Sequence, residues 1–180
     1  MTTTEQSAKQ RIYWLDAAVL VKLVSQPGEE PGVDRVQSLL ERSGRFQTTW
    51  VGVAVAYGLL KRRFASGGEK RRKSTDQETY HRRLYLLRRK IADGTVAVRA
   101  DWLDREDLPV FNPLEVKDFA KHYEIDFLDA LQIFEFRRGI DGAASGQLVP
   151  LLVTTDPRLI KAAEALDIEV WNPDQSDLME

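Results

Sequence analysis

The chain has 180 residues, 43% of them hydrophobic, a formal net charge of −2 and no cysteine. That length suits one compact domain with a sizeable core, and the missing cysteine excludes disulfides, thiolate zinc sites and cysteine nucleophiles. The polar start Met1–Ser7 lacks the apolar stretch of a signal peptide, and no apolar run approaches the ~20 residues of a membrane span, so a cytoplasmic protein is expected.

The near-neutral total hides a polarised chain. Between Lys61 and Lys90 stand twelve basic residues against three acidic ones, a local excess of nine positive charges that leaves eleven negative elsewhere.

Taken in order, Ile12–Leu15 is a short apolar run that reads as a buried strand, ended by Asp16. Ala17–Val24 suits a helix packed on the sheet, closed by Ser25-Gln26-Pro27-Gly28. Val33–Arg42 forms a second helix, with Val33, Val36, Leu39 and Leu40 on one face. Phe46–Thr48 is a weak strand candidate, and Thr49 is a good N-cap for a third helix from Trp50 to about Phe64.

Ser66-Gly67-Gly68 breaks the chain before Ser74, which opens a basic helix with Gln77 three residues on. Tyr80, Leu84, Leu87 and Ile91 give that helix its apolar spacing, and Gly94 stops it. Thr95–Arg99 alternates as an edge strand would, and Asp101–Val110 reads as a loop. Asn112-Pro113 caps a helix to about Tyr123. A largely apolar helix follows, from Asp126 to Arg138.

Gly139–Pro150 reads as a mobile loop, Leu151–Thr155 as a strand ended by Asp156, and Pro157 starts a helix to about Leu166. Ile168–Trp171 is the last strand. The expected domain is single, with a core over 12–173, a basic helical insertion at about 61–92, and flexible termini at 1–10 and 174–180. Short apolar strands alternating with helices imply an α/β three-layer sandwich around a mostly parallel sheet of about five strands.

In such sheets ligands bind beyond the carboxyl ends of the strands. Asp16 and Asp156 each follow a strand and precede a helix, so both emerge at that edge. Asp129 lies near the start of the apolar helix and can face the same crevice, with Asp126 one turn before it. Each alone reads as a helix cap or a first-turn acid. Together, clustered carboxylates repel unless one protonates or a cation intervenes, and a hard cation such as Mg²⁺ or Mn²⁺ is the natural counter-ion.

Other motifs carry little. Lys73-Ser74 lacks the glycines of a phosphate-binding loop, no glycine fingerprint for a dinucleotide follows Leu15, and His81 and His122 read as solvent-facing. An aspartate nucleophile of phosphatase type at Asp16 lacks its second acid, since Ala18 stands there.

Trp14-Leu15-Asp16, Thr48-Thr49, Asp129-Ala130-Leu131-Gln132-Ile133 and Leu152-Val153-Thr154-Thr155-Asp156 occur in an order and spacing that resembles the PIN-domain proteins, a ribonuclease fold common among toxins of toxin–antitoxin pairs. The resemblance spans Ile12 to Pro173. It implies a Mg²⁺- or Mn²⁺-dependent endoribonuclease in which Asp16, Asp129 and Asp156 are catalytic and metal-binding acids and Thr154 and Thr49 support them. It also implies RNA as substrate, an antitoxin protein as partner and commonly a homodimer. One position departs: where that family carries a glutamate on the third helix, six residues after Thr49, this chain has Val55, and no acid lies between Gln47 and Gly68. Either Asp126 supplies the missing charge as a further metal ligand, or the chain is a catalytically impaired module that binds RNA or a protein without cleaving. The basic stretch reads as a solvated helical face or as an electrostatic footprint for a polyanion, with Arg62, Arg63, Arg82 and Arg83 as candidate nucleic-acid contacts and Tyr85 able to reach a base. The same surface would also suit an acidic antitoxin segment.

Overall fold

The computed structural model describes residues 10–42, 44–65, 74–99, 112–142 and 148–178. Five strands form one all-parallel sheet: β1 (Gln10–Leu15), β2 (Arg45–Thr49), β3 (Ala97–Arg99), β4 (Leu148–Val153) and β5 (Val170–Trp171), in the order β3-β2-β1-β4-β5. Seven helices cover it among the described residues: α1 (Ala17–Lys22), α2 (Val33–Leu39), α3 (Trp50–Ala65), α4 (Ser74–Ala92), α5 (Pro113–Tyr123), α6 (Phe127–Gly142) and α7 (Pro157–Glu164). None is long and apolar enough to cross a membrane.

The two-residue period of a strand divides the core. On β1 and β4, Tyr13, Leu15, Leu151 and Val153 pack with α1–α4, among them Leu20, Val36, Leu60 and Leu87. Their neighbours Ile12, Trp14 and Leu152 face the opposite way and pack with Val116, Ile133, Phe136 and Leu159 of α5–α7. Strands buried on both faces read as unbroken apolar runs rather than as alternation, which is why Ile12–Leu15 and Leu151–Val153 stand out in the sequence. The three-layer sandwich expected from the sequence is the architecture found.

Several boundaries differ from the sequence reading. Gly139 to Gly142, expected in a loop, continue α6, and Leu148 to Pro150 belong to β4. Proline is tolerated there because β4 pairs with β5 only at Leu152 and Val153. The amide of Leu152 reaches Glu169 on the β5 side; Pro150, two residues earlier, lacks an N–H on that same side, where β5 does not extend. The C-terminal segment is anchored rather than free. Asp174 pairs with Lys22 at 3.1 Å, Asp177 with Arg35 at 2.6 Å, the Trp171 indole donates to the Ser176 carbonyl at 3.1 Å, and Leu178 packs on the core. Gly32 lets this segment approach: it has φ +73°, and a Cβ there would lie 2.8 Å from the Pro173 carbonyl oxygen. The break at Ser66-Gly67-Gly68, the loop expected at Asp101–Val110 and the cations Lys70 to Lys73 lie outside the described residues.

Candidate functional site

The strand order reverses between β1 and β4, and such a switch point leaves a crevice at the carboxyl edge of the sheet. Leu15 pairs with Val153 in register, so the next residues, Asp16 and Thr154, emerge side by side. The Asp16 amide donates to the Val153 carbonyl at 3.0 Å.

Asp16 is only 5% exposed. Its Oδ1 accepts the Ala17 N–H as the cap of α1, and its Oδ2 accepts the hydroxyl of the fully buried Thr154 at 2.9 Å. Burial pushes the Asp16 carboxyl above its ordinary range; the Thr154 and Ala17 hydrogen bonds oppose that rise, and nearby Asp156 adds to it. The same Thr154 oxygen accepts the Asp156 N–H at 3.1 Å. Thr154 therefore joins the two aspartates. Asp156 in turn caps α7, its Oδ1 accepting from Arg158 N at 2.8 Å and Leu159 N at 3.4 Å, with Pro157 at the first helical position.

Asp129 arrives from α6. Asp126 caps that helix by accepting the Asp129 N–H at 2.8 Å, which fixes the first turn. The half-buried Asp129 carboxyl is pushed up to about 7 by burial and by the charges of Asp126, Asp16 and Asp156, and Arg158 pulls it partly back. The four acids and Arg158 thus share one electrostatic neighbourhood, although Asp16 and Arg158 lie 142 residues apart in the chain. Among the described residues no three His, Cys, Asp or Glu side chains stand at the spacing of a ready metal cage. The donor chemistry nonetheless suits a hard cation, because Mg²⁺ commonly takes only one or two carboxylates and completes its shell with water and phosphate oxygens.

The end of β2 closes the crevice. Thr48 donates its hydroxyl to the Leu15 carbonyl at 2.7 Å, locking β2 to β1 just before Asp16. Thr49 Oγ1 accepts the Gly52 N–H at 2.8 Å and caps α3. Gly52 is required by proximity: a Cβ there would stand 2.7 Å from Thr48 Oγ1 and 3.4 Å from Gln132 Oε1. Val55 is half-buried and packs against the α1–α4 core, so α3 brings no carboxylate to the site.

Sequence reasoning missed three participants. Gln132 follows Asp129 by one turn, is 6% exposed, and its Nε2 has no hydrogen-bond partner among the described residues; a lone amide in an otherwise apolar helical face was its signal. Arg158 sits two residues after Asp156 and is the cation felt by Asp129. Gly52, inside the apolar run Trp50–Val55, marked the close approach of α3 and α6.

The candidate nucleic-acid contacts divide. Arg83 is 2% exposed, pairs with Glu29, reaches Ser25 Oγ at 3.3 Å and lies 4.4 Å over the Phe64 ring. It is a structural clamp between α4, α3 and the turn after α1, and not a solvent-facing contact as the sequence suggested. Arg63 is held by Glu30 at 2.8 Å and by Glu29 at 3.9 Å. Burial pushes Glu29 up, but the Gln26 N–H and the Arg83 and Arg63 guanidinia outweigh it and hold the carboxyl below its ordinary range. Arg62 and Arg82 are exposed and have no carboxylate partner among the described residues. Tyr85 is exposed, as are His81 and His122.

No protein-family model matches the chain, and no curated protein matches it. Among solved structures it is similar to the crystal structure of PAE2754 from Pyrobaculum aerophilum, with 16% identity over 92% of both chains and a TM-score of 0.53. At that identity the likeness speaks for the fold alone.

Proposed function

We propose that this chain is a divalent-metal-dependent endoribonuclease of PIN type that hydrolyses RNA phosphodiester bonds, acting in the cytoplasm as the toxin of a toxin–antitoxin pair. The observation that carries the reading is the convergence of Asp16, Asp129 and Asp156 at the sheet's switch point, close enough that their mutual repulsion helps lift Asp129 to about 7. Such a cluster is poor design for stability alone, and perturbed groups of this kind concentrate at functional sites.

Asp16, Asp129 and Asp156 would hold Mg²⁺ or Mn²⁺, with Asp126 contributing charge from the cap of α6. The bound cation supplies the positive charge that lets these acids ionise together and that polarises a phosphodiester. Thr154 keeps the Asp16 carboxylate oriented and couples it to the Asp156 backbone. Without a cation Asp129 is about half protonated at neutral pH, so it must release that proton before it can hold the metal. Arg158 stands where it can neutralise a phosphate. An antitoxin with an acidic segment and a second copy of the chain are the partners that accompany this role.

One observation favours a second reading, a module that binds RNA or a protein without cleaving it: Val55 packs into the core where an acid would complete the site. Cleavage of a mixed panel of single-stranded and structured RNAs with Mn²⁺ or Mg²⁺ separates the two. The nuclease reading expects weak wild-type cleavage, loss in Asp129→Asn and a gain of about 10–100-fold in Val55→Glu, the range typical of restored metal-shell groups. Three equally inert proteins that still bind RNA or a partner would leave the binding module standing.

A further inference from the structure

A cavity of about 540 Å³ lies against the two segments that carry Asp16 and Asp156. Ala18 of α1 and Thr155, the neighbour of Asp156, form its near wall. From α3, Leu59, Arg62 and Arg63 line it; Leu59 and Arg62 follow Val55 by four and seven residues and so share its side of the helix. Val21 and Leu59 make an apolar wall, and Lys22 lines the floor with a side chain only 6% exposed.

We propose that this cavity is a nucleotide subsite that receives the residue next to the scissile phosphate, with the base against Val21 and Leu59 and its phosphate on Arg62. The volume falls within the range of small-ligand pockets. The charges select the guest. Lys22 is already bound to Asp174 at 3.1 Å, to Glu30 at 3.8 Å and to the Pro31 carbonyl at 2.7 Å, and Arg63 is held by Glu30. Arg62 is the lining cation that has no carboxylate partner among the described residues. An acidic peptide would bring its carboxylates against Glu30 and Asp174, which also line the cavity. A nucleotide brings one phosphate for Arg62, while its base N–H groups can donate to those same two carboxylates. The inference rests on reading the carboxylate cluster as a phosphodiester site, since that is what sets a polynucleotide beside the cavity.

The test is calorimetric titration of the full chain with each of the four nucleoside 5′-monophosphates, and with inorganic phosphate, in the presence of a chelator so that no metal at the carboxylates holds the phosphate. At least one monophosphate should bind, more tightly than inorganic phosphate. Arg62→Ala should weaken it by about 10-fold or more, the loss typical of a charged hydrogen bond, and Leu59→Trp should block it by filling the cavity. Lys117→Ala, exposed on α5 and outside the cavity, should bind as wild type does. Thermal unfolding of each variant verifies that it is folded. Absence of binding by wild type, equal effects of Arg62→Ala and Lys117→Ala, or no preference over inorganic phosphate would overturn the subsite. Binding of a glutamate-rich peptide in place of the nucleotides would overturn it as well, and would assign the cavity to a protein partner. Monophosphate binding that survives in a chain inert toward every RNA would sink the nuclease reading and leave the subsite in place.

Discussion

Replacing Asp129 by Asn should stabilise the metal-free protein at alkaline pH. Asp129 titrates at about 7 in the folded chain against 3.8 ordinarily, because burial and the charges of Asp126, Asp16 and Asp156 oppose its ionisation. Its folded pKa is raised, so the protonated form contributes its full stability below about pH 4, and that contribution is lost as the pH climbs through 7. The separation corresponds to about 4 kcal/mol at full value. Asp129 keeps contact with water, which screens the repulsion, so the discounted effect is ~1.5–2 kcal/mol. Chemical or thermal denaturation in a chelator should therefore find Asp129→Asn more stable than wild type by that amount at pH 8, about 3–8 °C in Tm for a chain of this size. The gap should shrink toward zero near pH 4. Saturating Mn²⁺ should close or invert it, because wild type gains about 2.7 kcal/mol at a hundredfold excess over Kd and the variant loses a ligand. A variant no more stable than wild type at pH 8 would refute the reasoning, since the carboxylates would then not share a field.

Arg83→Ala should destabilise the fold by about 2–3 kcal/mol in urea denaturation, since it strips the buried side chain from Glu29, Ser25 and Phe64; Arg82→Ala should leave stability within about 0.5 kcal/mol and lower the salt slope of RNA binding by about one. Equal salt slopes for wild type and Arg82→Ala would take α4 out of the RNA footprint. Thr154→Val removes the donor to Asp16 and the acceptor for the Asp156 N–H. It should cost about 1–3 kcal/mol and move the onset of Mn²⁺ binding to higher pH, because the Asp16 carboxyl loses the hydrogen bond that holds its pKa down; an unchanged pH profile by calorimetry would count against the coupling. Gly32→Ala should cost about 2 kcal/mol through its positive φ and its contact with Pro173, and limited proteolysis should then release the C-terminal segment.

The apolar runs Ile12–Leu15 and Leu151–Val153 were legible as strands because burial on both faces leaves no polar position in them. The caps were legible too. Asp16, Thr49, Asn112 and Asp156 each stand where a short polar side chain can satisfy the free amides of a helix start, and each accepts such an amide in the structure. Pro150 concealed the first half of β4, since its compatibility depends on how short β5 is, which no local pattern encodes.

Arg83 marks the limit of reading charge from a sequence. Its neighbours Arg82 and Arg88 are solvent-facing; Arg83 lies three residues after Tyr80 and four before Leu87, on the flank of the apolar stripe, but Glu29, Ser25 and Phe64 decide its role, and they lie on other elements. The same holds for Asp174 and Asp177, which looked like a polar tail until Lys22 and Arg35 came within reach.

The sequence by itself determined the layer architecture and nominated the acids, because strand period, helix period and capping chemistry act over a few residues. Only the tertiary structure decided which charges meet. Electrostatic fields extend through space rather than along the chain, so the pairing of Asp16 with Thr154, the crowding that lifts Asp129, and the clamp on Arg83 came into being only when the sheet aligned the ends of β1, β2 and β4.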